Sequence, residues 1–154
     1  MHATAEDFLP FIFLPLWFVV GFIVSRMGWH GFAQKYAASV RPPGMSFNCP
    51  AASFGSILAS YRNVMRVVFS ESGVYVYPMI LFRVFHQPFL IPWEKVVAMK
   101  KKTRFWGDWY ELSVRDRNSE IRITLTTGAV KALESFRKVR PDGTDNFGAS
   151  PLRV

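Results

Sequence analysis

The longest interruption in the alternation of polar and apolar positions runs from Phe8 to Ser25. No side chain in Phe-Leu-Pro-Phe-Ile-Phe-Leu-Pro-Leu-Trp-Phe-Val-Val-Gly-Phe-Ile-Val-Ser ionises. At about 1.5 Å per residue, a helix over these positions covers roughly 27 Å, close to the hydrocarbon thickness of a bilayer. The run predicts a membrane span. Two other readings compete with it. A fully buried helix of a soluble protein seldom stays this long without a polar residue. A cleaved signal peptide wants a basic flank and a shorter core, whereas this run follows Glu6 and Asp7. Pro10 falls in the first turn, where no hydrogen bond is lost, and Pro15 further in predicts a kink.

Beyond the run the period changes twice. Between Arg26 and Ser39, Trp29, Phe32, Ala33 and Tyr36 recur at spacings of three and four, which puts their side chains on one helical face. This suits a continuation of the anchor, a short helix lying in the membrane interface, or a helix packed on the following domain. Arg41-Pro42-Pro43-Gly44 ends it and reads as a linker. From Ser53 to Thr126 the period is two: Asn63, Met65, Val67 and Phe69 alternate with Arg62, Val64, Arg66 and Val68. Strands are expected at 54–58, 61–69, 74–77, 89–91, 94–101, 109–115 and 120–126. Ser70-Glu71-Ser72-Gly73 reads as a hairpin turn, with glycine where a positive φ is needed. Tyr110, Leu112 and Val114 should oppose Ile121, Ile123 and Leu125 across a turn at Asp116 to Ser119. Gly128 to Val139 then carries Ala129, Val130, Leu133, Phe136 and Val139 on one stripe of a helix that Thr126 or Thr127 caps. The tail from Pro141 to Val154, rich in Pro, Gly, Asp, Asn and Ser, has the composition of a disordered segment.

Four strands, three strands and a terminal helix, together with Ser72-Gly73-Val74-Tyr75 and Ile91-Pro92-Trp93-Glu94-Lys95-Val96, resemble the pleckstrin-homology-like and GRAM-like domains of bacterial membrane proteins. The resemblance covers roughly Ser53 to Val139. It implies an α+β chain in which a single N-terminal transmembrane helix precedes a bent antiparallel β-barrel of about seven strands, capped by a C-terminal helix. The expected organisation is a short extracytoplasmic N-terminus at 1–7, a transmembrane helix at 8–25, a juxtamembrane helix and linker at 26–52, the domain at 53–139, and a disordered tail at 140–154. Lipid-reading eukaryotic members of that superfamily carry several basic residues around the loop joining the first two strands. Here that loop is expected near Leu58-Ala59-Ser60-Tyr61, where only Arg62 is basic. The resemblance therefore implies the fold rather than phosphoinositide recognition.

Charge adds an orientation. All 19 Lys and Arg residues of the 154 follow Ser25, with 9 of the 11 acids, so the formal net charge of +8 divides into −2 up to Ser25 and +10 beyond it. Arg26, Lys35 and Arg41 follow the span closely and no basic residue precedes it, which predicts the N-terminus outside and the domain in the cytoplasm of a bacterial inner-membrane protein. A domain tethered beside anionic lipid has its own reason to be basic, so a nucleic-acid partner is not expected. Cys49 is the one cysteine and cannot form an internal disulfide, in keeping with a reducing compartment.

Two stretches are candidates for contact. Lys100, Lys101, Lys102 and Arg104 suit anionic headgroups, or are a solvated hairpin end. Pro78 to Leu90 is apolar where a loop should be polar, and its surface wants a cover from bilayer, partner protein or the barrel itself. Ile80, Leu81, Phe82 and Phe85 are the residues expected to enter the headgroup region. Enzyme chemistry has little support. His2, His30 and His86 share no metal-ligand spacing with Cys49, no glycine-rich phosphate loop occurs, and Glu94, Asp108 and Glu111 suit ion pairs better than acid and base roles. No cofactor is expected. The chain reads as a non-enzymatic adaptor or auxiliary subunit whose partners are membrane lipid and another membrane protein, with a lipid-binding or lipid-sensing module as the alternative.

Overall fold

The computed structural model describes residues 5–105, 107–116 and 119–139. The tail expected at 140–154, and most of the short N-terminal segment, lie outside the described residues. The apolar run forms helix α1, Ala5–Val24, which continues past Pro10 and Pro15. A break in the helical geometry comes further on. Gly28, at φ 172° and ψ −38°, breaks the helical dihedrals inside the wider turn Ser25–Trp29, and a short helix α2, His30–Lys35, follows. Among the described residues this N-terminal helical segment alone is long and apolar enough to cross a membrane.

Seven antiparallel strands make one curled sheet: β1 Ser46–Phe54, β2 Ser56–Ser70, β3 Gly73–Pro78, β4 Phe89–Pro92, β5 Val96–Arg104, β6 Gly107–Asp116 and β7 Ser119–Leu125. Their order is β4-β3-β2-β1-β7-β6-β5. β1 is the corner, pairing with β2 along its length and with β7 only through Ala51 to Phe54, so the sheet bends around it into a half-barrel. Helix α3, Thr127–Val139, packs against β1, β2 and β6. The Thr126 hydroxyl accepts the Ala129 N–H at 3.4 Å, and Ala129, Val130 and Leu133 are buried.

The register of the last hairpin is as the alternation predicts: Tyr110, Leu112 and Val114 face Leu125, Ile123 and Ile121. The first strand is not where it was expected. Phe54 to Leu58 is the passage from β1 to β2 around Gly55, at φ +68°, and residues 46–52 are strand rather than linker. Pro50 and the small Ala51, Ala52 and Ser53 gave that segment no alternating signature. Pro50 sits where the pairing slips between Cys49 and Ala51, and Asn63 opposite takes φ +55° to absorb the extra residue. The strand expected from Glu94 begins at Val96, because Trp93–Lys95 is a tight 3-10 turn. Trp93 stacks on Phe69 and its indole N–H donates to the Ser70 carbonyl at 2.9 Å, so it anchors that corner.

Trp29, Phe32 and Ala33 settle the role of the segment after the apolar helix, since all three are buried in the core of the half-barrel. Gly73 shows how tightly the β2–β3 turn lies on β4: a Cβ there, at φ +150°, would stand 2.0 Å from the Ile91 carbonyl oxygen. Backbone cannot yield as a side-chain tip can. Gly73→Ala should therefore cost about 2 kcal/mol or more, read as a lowered midpoint in thermal unfolding of the detergent-solubilised chain.

Candidate functional site

The sheet meets α1 through the loop between β3 and β4. Phe82 ends a one-turn helix, Ile80–Phe82, and its ring lies 6.0 Å from Trp17. Phe85 makes edge contacts with Phe18 at 5.6 Å and Phe22 at 6.1 Å. Gly21 makes the approach easy, because a Cβ at that position would stand 3.2 Å from the Phe85 ring and push it back by a few tenths of an ångström. The loop thus runs back along the helix. Trp17 precedes Val24 by seven residues, which places Phe82 about 10 Å from the end of α1. The rest of the loop faces away: Ile80 is 81% exposed, Leu81 61% and Val84 64%. Of the four apolar contact candidates, Phe82 and Phe85 are half-buried against the helix while Ile80 and Leu81 stand free of it.

Under the loop sits a closed cluster around Trp29. Its ring contacts Phe89 at 4.7 Å, Phe54 at 5.2 Å, His86 at 5.3 Å and Tyr61 at 5.8 Å, and its indole N–H donates to the Gln87 carbonyl at 2.9 Å. His86 is 2% exposed. Nδ1 lies 3.0 Å from the Phe82 carbonyl and Nε2 lies 2.9 Å from the Tyr61 hydroxyl, which also reaches the Val24 carbonyl at 3.2 Å. The Phe82 carbonyl can only accept, so a neutral imidazole carries its proton on Nδ1, and the single Tyr61 hydroxyl proton is shared between two acceptors, Nε2 and the Val24 carbonyl. Burial lowers the His86 pKa, against a smaller upward pull from the Phe82 carbonyl, and burial raises that of Tyr61. One polar chain therefore joins the end of α1, the sheet and the loop.

A second tie fixes α2. Lys35, in its last turn, hydrogen-bonds Asp116 at the end of β6, and Lys95 lies 3.8 Å from the other carboxylate oxygen. The Lys35 contact holds the Asp116 carboxyl below its ordinary value, partly offset by desolvation, and raises Lys35 in turn.

The basic run behaves differently from a uniform patch. Strand alternation sends Lys100 and Lys102 to one face of β5 and Lys101 to the other. Lys101 bridges Asp108 at 2.8 Å and Lys102 bridges Glu111 at 2.7 Å, with Glu111 also opposite Lys100 in register. Arg104 closes β5, and its side chain lies outside the described residues. Two guanidiniums not among the candidates, those of Arg41 and Arg83, each lie against the ring of Tyr77. Their separation in sequence hid them, as it hid the pairing of Tyr61 with His86.

Among the described residues no three His, Cys, Asp or Glu side chains converge as a metal site would need. Cys49 is buried and desolvation pushes its thiol up to about 12, which keeps it from acting as a thiolate. Comparison with protein-family models, with curated proteins and with solved structures returned no match for this chain.

The depressed His86 pKa carries a pH dependence. Its stabilising contribution is complete above the unfolded value of about 6.5 and is lost as pH falls through that value toward the lower folded one. Thermal stability should therefore drop as pH falls below about 6.5, and His86→Gln should flatten that slope while leaving the loss at lower pH, where Asp116 becomes protonated.

Proposed function

We propose that this chain is a membrane-anchored, non-enzymatic adaptor or auxiliary subunit, with a cytoplasmic pleckstrin-homology-like domain held against the inner face of a bacterial inner membrane. The observation that carries the reading is the packing of the β3–β4 loop along α1. An apolar helix that simply preceded a soluble domain would leave the domain free to turn, whereas here Phe82 and Phe85 grip it on one side. With 8–25 as the span, the loop reaches about 10 Å into the cytoplasmic leaflet, and Ile80, Leu81 and Val84 face acyl chains rather than water. Transferring exposed Ile80 and Leu81 into that environment stabilises the arrangement by on the order of 3 kcal/mol.

The strand order and the terminal α3 support the pleckstrin-homology-like reading. Arg26, Lys35 and Arg41, close after α1, support the orientation. Mechanistically the anchor supplies a high local concentration at the membrane and the loop sets the angle of the sheet, so the surface presented to a partner has a defined height and direction. Lys100 and Lys102 belong to the edge strand β5, at the opposite end of the strand order from β4. The alternative, a lipid-binding module, gains from the Arg41 and Arg83 pair taken up below.

Two measurements test the reading. In a Cys49→Ala background, a polarity-sensitive dye on Ile80→Cys or Leu81→Cys in the reconstituted full chain should emit as in an apolar medium and be quenched by bromolipid. Emission as in water, with quenching by iodide, would remove the loop from the bilayer. For the adaptor role, crosslinking in native membranes should join the domain to one membrane protein in stoichiometric yield, and a chain that crosslinks to nothing but itself would count against it.

A further inference from the structure

We infer that Arg41 and Arg83, each held against the ring of Tyr77, bind the phosphate of an anionic lipid headgroup; the inference rests on the membrane reading above and deepens it. The Cζ atoms of Arg41 and Arg83 lie 5.5 Å and 5.6 Å from the Tyr77 ring centroid. Arg66 is the direct cross-strand partner of Tyr77 and is exposed. The platform is rigid: Tyr77 is 6% exposed, its hydroxyl is 2.8 Å from the Ser46 hydroxyl, and its ring packs beside Tyr75. Cation–π attraction holds each guanidinium to the ring but does nothing for the repulsion between them.

Several other cations of this protein meet a carboxylate: Lys35, Lys101, Lys102 and Arg122 pair with Asp116, Asp108, Glu111 and Glu120. Among the described residues neither Arg41, Arg66 nor Arg83 forms an ion pair, and the one hydrogen bond from the Arg41 guanidinium goes to the Gly44 carbonyl at 3.3 Å. Two guanidiniums on one buried ring, with no carboxylate paired to either, offer a seat for an anion from outside. Guanidinium forks match the oxygens of a phosphate in a way that an ammonium cannot.

The neighbourhood selects a lipid-borne phosphodiester over free phosphate. Arg83 lies in chain between Phe82, which packs on Trp17 of α1, and Val84, which is exposed with Ile80 and Leu81. A headgroup seated on the arginines has apolar surface beside it for its acyl chains. A free phosphate makes no use of that surface. By contrast the Lys100 to Lys102 run, which looks more basic in sequence, has spent two of its charges on Asp108 and Glu111.

The test uses the full chain in nanodiscs of phosphatidylcholine with and without phosphatidylglycerol, followed by native mass spectrometry of the lipids retained on release. The wild type should retain phosphatidylglycerol over phosphatidylcholine. Arg41→Gln with Arg83→Gln should weaken that preference roughly 30-fold, each charge near an anionic surface being a factor of about five, with an unchanged melting temperature because both side chains are exposed. Lys100→Gln with Lys102→Gln should leave the preference intact. The inference is overturned if the arginine variant keeps its preference, if the lysine variant loses it equally, or if excess inorganic phosphate strips the lipid from the wild type. A wild-type chain that does not stay in the disc would sink the membrane reading and this inference together. One that stays, held by α1, but retains the two lipids alike would sink the inference alone.

Discussion

The structure depends on the seating of one indole. Trp29 leaves the turn after the apolar helix and is fully buried among Phe54, Tyr61, His86 and Phe89, which come from β1, β2, the β3–β4 loop and β4. A ring of that size buries on the order of 200 Å² of surface, and its N–H is satisfied by the Gln87 carbonyl. Both features are needed, because an unpaired indole donor in this core would cost about 1 to 3 kcal/mol. The kink at Gly28 is what turns Trp29 toward the sheet rather than letting it continue along the axis of α1. Helix and half-barrel therefore share a core, and the apolar helix is a structural element of the domain.

From that seat the remaining contacts follow in order of distance. Tyr61 reaches the last carbonyl of α1 and the ring of His86, His86 reaches Phe82, and Phe82 with Phe85 returns to the helix at Trp17, Phe18 and Phe22. The circuit closes on itself. A loop so fixed at both ends can hold bulky apolar side chains on its outer side without collapsing onto the sheet, which is why Ile80, Leu81 and Val84 remain exposed. The Lys35 to Asp116 contact does the same for the other end of the connecting segment, tying α2 to β6.

Electrostatics divides the surface by partner rather than by count. The excess of cations is plain from composition, but strand alternation and cross-strand carboxylates neutralise much of the run on β5. Among the charges left without a carboxylate are two distant arginines that the chain folds onto one tyrosine. A basic balance is thus a weak guide to where a basic surface lies.

By itself the sequence determined the apolar helix, the β6–β7 register, the β2–β3 turn at Gly73 and the amphipathic α3. Each is written in spacings of two, three or four residues, and local periodicity needs no knowledge of what lies opposite. It did not determine β1, whose Pro50 and small residues carry no alternation and which is a strand because β2 and β7 lie on either side of it. Nor did it decide whether Trp29 faced lipid or core, which loop aromatics would clasp the helix, or which cations would stay unpaired. Those outcomes join residues such as Trp29 and Gln87, or Arg41 and Arg83, that meet only after the chain has closed. The energy that chooses between them belongs to the contact, and the contact exists only in the folded state.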